Sequence, residues 1–292
     1  MTKSRKKVLF VLYVVLIGVI LLYALFPSDA VRNAIANRIQ QAVPDLRVDV
    51  GDLNPAFPFS LSMEDVMFSK KGTPLFSADR LTLKPRWLSM LSSGKEIKVD
   101  AVAYGGKISG VISLMQGSEN GSVSIKGTFS DLQLEQISAL QENIDAGLSG
   151  SASGRLHLDD VSARQTFGSG SFSVTDCTVA LPSPIMEIDR LSFQKIDLAF
   201  DIEGNRVELQ QGDFLGQELS AVVAGSISIE SPADRSVMDL DIIVTPERLF
   251  LSKLDDKNSA GLLTSLLSEQ GSFNLGVTGS MASPRYTFGA AR

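Results

Sequence analysis

Over residues 122–130 every second position is apolar or glycine. Val123, Ile125, Gly127 and Phe129 alternate with Ser122, Ser124, Lys126, Thr128 and Ser130. A period of two puts each set on its own face of an extended strand, one face apolar and the other small and polar. A helix over the same residues would scatter both sets around its axis. The pattern recurs along the chain. Phe172 and Val174 alternate with serines, and Ile196, Leu198, Phe200 and Ile202 alternate with Asp197 and Asp201. Val207 and Leu209 continue it, as do Met238, Leu240, Ile242 and Val244, with Phe273, Leu275 and Val277 closing the series. Turn-forming groups separate these runs: Gly105-Gly106, Glu119-Asn120-Gly121, Gly204-Asn205 and Pro232-Ala233-Asp234. Short alternating strands joined by such turns predict a mainly β, antiparallel sheet with one wet face. No βαβ alternation is present, which argues against doubly wound or barrel enzymes.

One stretch breaks the pattern. Residues 8–26 read VLFVLYVVLIGVILLYALF, without a charge. A helix of this length, marked by Val8, Leu12, Leu16, Ile20 and Phe26, roughly spans a ~30 Å hydrocarbon core. Lys3, Arg5, Lys6 and Lys7 precede it without an acid. The positive-inside rule then keeps the tail 1–7 cytoplasmic and sends the rest across the inner membrane to the periplasm. The run is longer than a signal-peptide core, and its exit, Ala24-Leu25-Phe26-Pro27, is bulky where a cleavage site is small. All 33 acids, but four fewer than all 27 Lys and Arg, lie beyond Pro27. This acidic exported part argues against nucleic-acid binding and against a polybasic grip on anionic lipid.

Between anchor and sheet, residues 27–44 read as an amphipathic linker helix. Ser28 or Asp29 is placed to cap it, and Val31, Ile35 and Ile39 line one stripe. The β-rich domain follows over 45–292. The segment Arg86–Leu91, with Trp87 and Leu88 after Pro85, reads as a short turn of helix or an inward-tucked loop, and short helices are expected from Asp131 to Leu140 with Ser130 or Asp131 as cap, from Pro246 to Leu254, and from Ser259 to Leu267. The segment beginning Gly110-Val111-Ile112-Ser113-Leu114 resembles that beginning Gly225-Ser226-Ile227-Ser228-Ile229. Carried on without gaps, the match sets Val123 on Met238, Ile125 on Leu240, Phe129 on Val244 and Leu134 on Leu249. Two copies, 99–159 and 214–280, would extend a curled sheet by similar hairpins, closing on itself or leaving an apolar groove. Val123, Ile125, Phe129, Met238, Leu240, Ile242 and Val244 are the candidate lining of that groove or its core.

No catalytic set emerges, and the reading is a non-enzymatic protein without cofactor or metal. His157 is the sole histidine and sits between Leu156 and Leu158, so it shares the polar face with Arg155 and Asp159. Cys177 is the sole cysteine, which excludes an intramolecular disulfide and makes a zinc site with one histidine implausible. The acid pairs Glu64-Asp65, Asp159-Asp160 and Asp255-Asp256 lack the spacing of a calcium loop.

The glycine-punctuated segments GVISLMQGSENGSVSIKGTFSDLQLEQISAL and LSGSASGRLHLDD, and the ending LGVTGSMASPRYTFG, follow a single anchor. Together they resemble the type II secretion system protein N (GspN) family. The same glycine–strand–proline endings resemble the AsmA/TamB-like envelope proteins. The first resemblance implies an inner-membrane scaffold whose partners are other secretion components. The second implies a β-groove that holds phospholipid acyl chains. Neither family pattern supplies catalytic residues.

Overall fold

The computed structural model describes residues 25–43, 45–56, 60–86, 94–115, 122–143, 147–159, 161, 166–185, 188–230, 233–247 and 271–290. It also describes Phe10, Tyr13, Val14, Ile17, Leu21 and Tyr23, all helical. Contacts divide the chain into two units, Met1–Pro85 and Arg86–Arg292. This boundary falls inside the stretch read from sequence as one β-rich domain.

In the first unit, Leu25 closes a last helical turn by donating its N–H to Leu21 O at 2.9 Å, and Phe26 lies beyond the helix. Val8, Leu12, Leu16 and Ile20 lie outside the described residues, as do Lys3, Arg5, Lys6 and Lys7. Among the described residues no helix is long and apolar enough to cross a membrane. Helix α1 runs Ser28–Ala42. Its N-cap is Pro27, with no side-chain cap, in place of the expected Ser28 or Asp29. Asp29 instead pairs with Arg32 at 3.5 Å, one turn on. Val31, Ile35 and Ile39 are half-buried on α1, which packs on β1 (Leu46–Val50) and β2 (Leu53–Ala56). Both strands pair with opposite ends of the longer β3 (Ser60–Lys70), whose other edge meets β4 (Thr73–Pro85). Leu53, Met63, Val66, Ala78 and Leu81 are buried between these elements. Pro85 is the last residue of β4. Trp87 and Leu88 of the segment after it lie outside the described residues.

The second unit is an antiparallel ladder in strict sequence order: β5 (Gly94–Ala103), β6 (Gly106–Met115), β7 (Ser122–Gln133), β8 (Leu148–Asp159), β9 (Phe167–Ile185), β10 (Ile188–Glu203), β11 (Arg206–Gly216), β12 (Leu219–Ser228), β13 (Val237–Pro246), β14 (Phe273–Ser280) and β15 (Ser283–Ala290). Among the described residues β15 pairs with β14 alone, so the sheet does not close. The β5–β6 turn is Tyr104-Gly105, one residue earlier than expected. Both have positive φ (52° and 73°), the geometry whose twist suits a two-residue hairpin.

Among the described residues, two expected helix starts are strand instead. Asp131 opens no helix: it lies inside β7 with φ 58°, as the extra residue of a bulge. Its N–H is satisfied by Ser153 Oγ of the neighbouring strand at 2.9 Å. The extra residue returns Leu132 to the apolar face three positions after Phe129, where it opposes Ala152. Among the described residues, a single 3-10 turn (Leu134–Gln136) and helix α2 (Ser138–Asn143) come after it before β8. Pro246 ends β13, buried, and is not a first helical residue. The remainder of that helix and residues 259–267 lie outside the described residues.

The core of this unit lies on the apolar face at one end of the strands. Leu132, Leu134, Ala152, Val174, Cys177, Phe193 and Ile196 are buried there, with Ile137 and Leu140 packed on them. The Gln141 side-chain amide donates to Leu134 O at 3.1 Å and Leu148 O at 2.9 Å, tying α2 to the strand beside it. Phe193 and Phe214 meet edge to face, centroids 5.6 Å apart, a favoured aromatic geometry.

Candidate apolar face

Cross-strand register turns the alternation into a surface. Val99, Gly110, Gly127, Leu156, Gly170, Phe200, Leu209, Gly225, Leu240, Val277 and Tyr286 are successive directly opposed partners from β5 to β15. The next row is Ile97, Ile112, Ile125, Leu158, Gly168, Ile202, Val207, Ile227, Met238, Gly279 and Pro284. Tyr286, at the edge, carries the only side-chain polar atom in either row. At about 4.8 Å per strand, ten steps make each row roughly 48 Å long.

Every residue of the second row is half-buried, neither sealed in a core nor free in solvent. The first row is half-buried too, except Val277, buried, and Tyr286, 60% exposed at the sheet edge. Glycines make room within the rows. The Phe200 ring lies over Gly170 in the first row, and beside that row the Phe129 ring lies over Gly154, where an added Cβ would sit 2.8 Å from Phe129 Cζ. Gly127 differs: a Cβ there would meet only Ser109 O, at 3.7 Å. The paired Gly110 and Gly127 therefore leave a notch between Ile112 and Ile125 on one side and Ile108 and Phe129 on the other.

The seven residues named from sequence all fall on this face. Ile125 and Met238 share the second row, and Leu240 stands in the first. Val123, Phe129 and Ile242 are half-buried, and Val244 is buried. The two matched hairpins, β6–β7 and β12–β13, present equivalent residues to the same face. Their pairing differs by two residues, since Gly110 opposes Gly127 whereas Gly225 opposes Leu240 rather than Ile242. Leu249, the match of Leu134, lies outside the described residues.

The reactive side chains lie apart from this surface or are sealed. His157 is on the polar face, its Nε2 3.1 Å from Asp159 Oδ2. Ser124 Oγ donates to Asp159 at 2.8 Å. That bond, with the nearby His157 and Lys126, holds the Asp159 carboxyl below the usual carboxylate range. Cys177 is 2% exposed in the core, and burial pushes its thiol up. In the pair Glu64-Asp65, Glu64 is engaged by Arg80 at 3.1 Å and Asp65 is a positive-φ residue inside β3. Asp160, Asp255 and Asp256 lie outside the described residues. Among the described residues no three His, Cys, Asp or Glu side chains gather as a metal site would require.

Comparison settles no family. No family model, curated protein or solved structure matches this chain. What the apolar face can do therefore rests on its own physics. A contiguous apolar surface that is not sealed in a core marks a site for lipid or protein. Sequence alone located the apolar residues, but the rows required the register, which alternation does not encode.

Proposed function

We propose that this chain is an inner-membrane-anchored periplasmic protein that holds phospholipid acyl chains against the apolar face of β5–β15, in the manner of AsmA/TamB-like envelope proteins. The observation that carries the reading is the second row, eleven residues from Ile97 to Pro284, unbroken by a polar side chain and nowhere sealed among the described residues. Acyl chains need a dry surface and no directional partner, which such rows supply. The charge-free residues 8–26 behind a basic tail support the anchor and its orientation.

Photo-crosslinking in cells tests this. A photoreactive residue at Ile125 or Leu240, on the apolar face, is expected to yield phospholipid adducts by mass spectrometry. The same residue at Ser124 or Asp239, on the polar face, is expected to yield none. Equal adducts from both faces, or none from either, would sink the proposal.

A second reading builds on the resemblance to secretion protein N: an anchored scaffold for other secretion components. It is favoured by the open edge at β15, where Tyr286 and Phe288 are 60% and 62% exposed and unpaired backbone can accept a partner strand. On this reading, deleting the gene traps a normally secreted hydrolase in the periplasm. Unchanged secretion would remove it.

A further inference from the structure

The polar face of the same sheet carries a feature that lipid binding does not use. Two depressions of about 600 and 640 Å³ open on it and share Thr128, Arg155, Ser171 and Ala199. The first is lined from seven consecutive strands, Lys98 on β5 to Gln210 on β11. Laid flat, seven strands cover about 29 Å, so one depression reaching across them means the sheet bends toward its polar face here. Six register shifts, at Phe129/Leu132, Ser149/Ser151, Ile188/Arg190, Phe193/Lys195, Ala199/Phe200 and Leu209/Asp213, fall among the same strands. Bulges of this kind bend strands.

The floor is kept small by Ser169, Ser171 and Ala199, and long cations stand over it. Lys126 directly opposes His157, and Arg155 opposes Thr128 two pairs along on the same face, so Lys126, Arg155 and His157 are immediate neighbours on β7 and β8. Cations gathered across a ladder repel one another. They are gathered nonetheless, in a chain whose net charge is −6.

The surrounding acids do not account for them. Asp100 is engaged by Lys98 at 3.2 Å and by Ser109 Oγ at 2.7 Å. Asp159 is held by Ser124 and lies beside His157, with Lys126 within electrostatic reach. Asp201 lines the far side of the depression. Among the described residues no carboxylate is within ion-pair distance of Lys126 or Arg155. Arg155 donates Nε to Ser171 Oγ at 3.0 Å, which fixes the guanidinium plane.

We infer that this trough is an oxyanion site, in which Lys126 and Arg155 bind the phosphate of a phosphorylated ligand. Arginine offers a planar pair of donors to such a group and lysine a point charge. The volume suits a small molecule or a lipid headgroup. The inference stands on the polar face alone, so it survives or fails independently of acyl-chain binding on the other.

The test titrates the detergent-solubilised full chain with glycerol 3-phosphate and, separately, with water-soluble dihexanoyl phosphatidylglycerol; glycerol is the blank. Saturable binding of the first identifies a soluble phosphorylated ligand, and binding of the second alone a lipid headgroup. Either supports the site if affinity falls with added salt and the double variant K126Q/R155Q weakens it about tenfold or more. Lys107→Gln, an exposed change elsewhere on the polar face, is expected to leave binding unchanged. Arg155→Lys is expected to recover part of the loss. Absence of saturable binding of both probes to about 10 mM, or equal loss in Lys107→Gln, would overturn the inference.

Discussion

Two glycines of the apolar face, on β7 and β9, show how differently the same residue type can serve. At Gly170 an added Cβ would enter the Phe200 ring, and at Gly127 it would meet only Ser109 O at 3.7 Å. Neither has the positive φ that would strain a larger residue. Gly170→Ala is therefore expected to cost about 1–3 kcal/mol through overpacking. Gly127→Ala is expected to be neutral or to stabilise by up to about 1 kcal/mol, because it restricts the unfolded chain. Urea melts of the two variants separate these outcomes, and equal losses would show that Gly127 is not a notch. A second residue-scale expectation concerns Asp159. Its carboxyl is held low first by the Ser124 hydroxyl and then by the charges of His157 and Lys126. A lowered folded-state pKa contributes stability that is present above the ordinary carboxylate range and lost as pH falls through the lowered value. Ser124→Ala is expected to move the Asp159 titration upward, read by carboxyl-carbon NMR; an unmoved titration would assign the shift to the cations alone.

At the scale of the element, the bulge at Asp131 decides which face Leu132 and the residues after it occupy. Deleting Asp131 slips the end of β7 by one residue and turns Leu132 away from Ala152. The expected loss is about 2–5 kcal/mol, the cost of removing a buried leucine. Asp131→Gly keeps the extra residue and suits φ 58°, so its melt should lie within about 1 kcal/mol of the parent. If both variants melt alike, the bulge does not set the register. This element also marks where sequence reading reaches its limit. The alternation of Val123, Ile125 and Phe129 is legible because a period of two has one physical meaning. Asp131 reads as a helix cap because a capping acid and a bulged acid are the same residue in different backbone geometry. Pro246 misleads in the same way, since it suits either a helix start or the last position of a strand. The apolar lining is legible residue by residue. The adjacency of Lys126, His157 and Arg155 is not, because it depends on which residues of β7 and β8 oppose each other.

For the whole molecule, the two faces of one sheet have opposite chemistry, and the chain behind the basic tail is expected to stay tethered. Replacing residues 8–26 with a cleavable signal peptide tests whether the tether matters. The freed protein should still fold, by its melt, but lose the phospholipid adducts at Ile125; undiminished adducts would show that residues 8–26 serve export only. Strict sequence order in β5–β15 has a further, kinetic consequence. Each strand bonds only to the strands before and after it in the chain, so every ladder contact joins strands that are consecutive in the sequence. Chains with such local wiring fold quickly for their size and can start in any hairpin. Pulled from the C-terminus, this sheet should come apart as a zipper does, beginning with β15, tooth by tooth, rather than rupture in a single event.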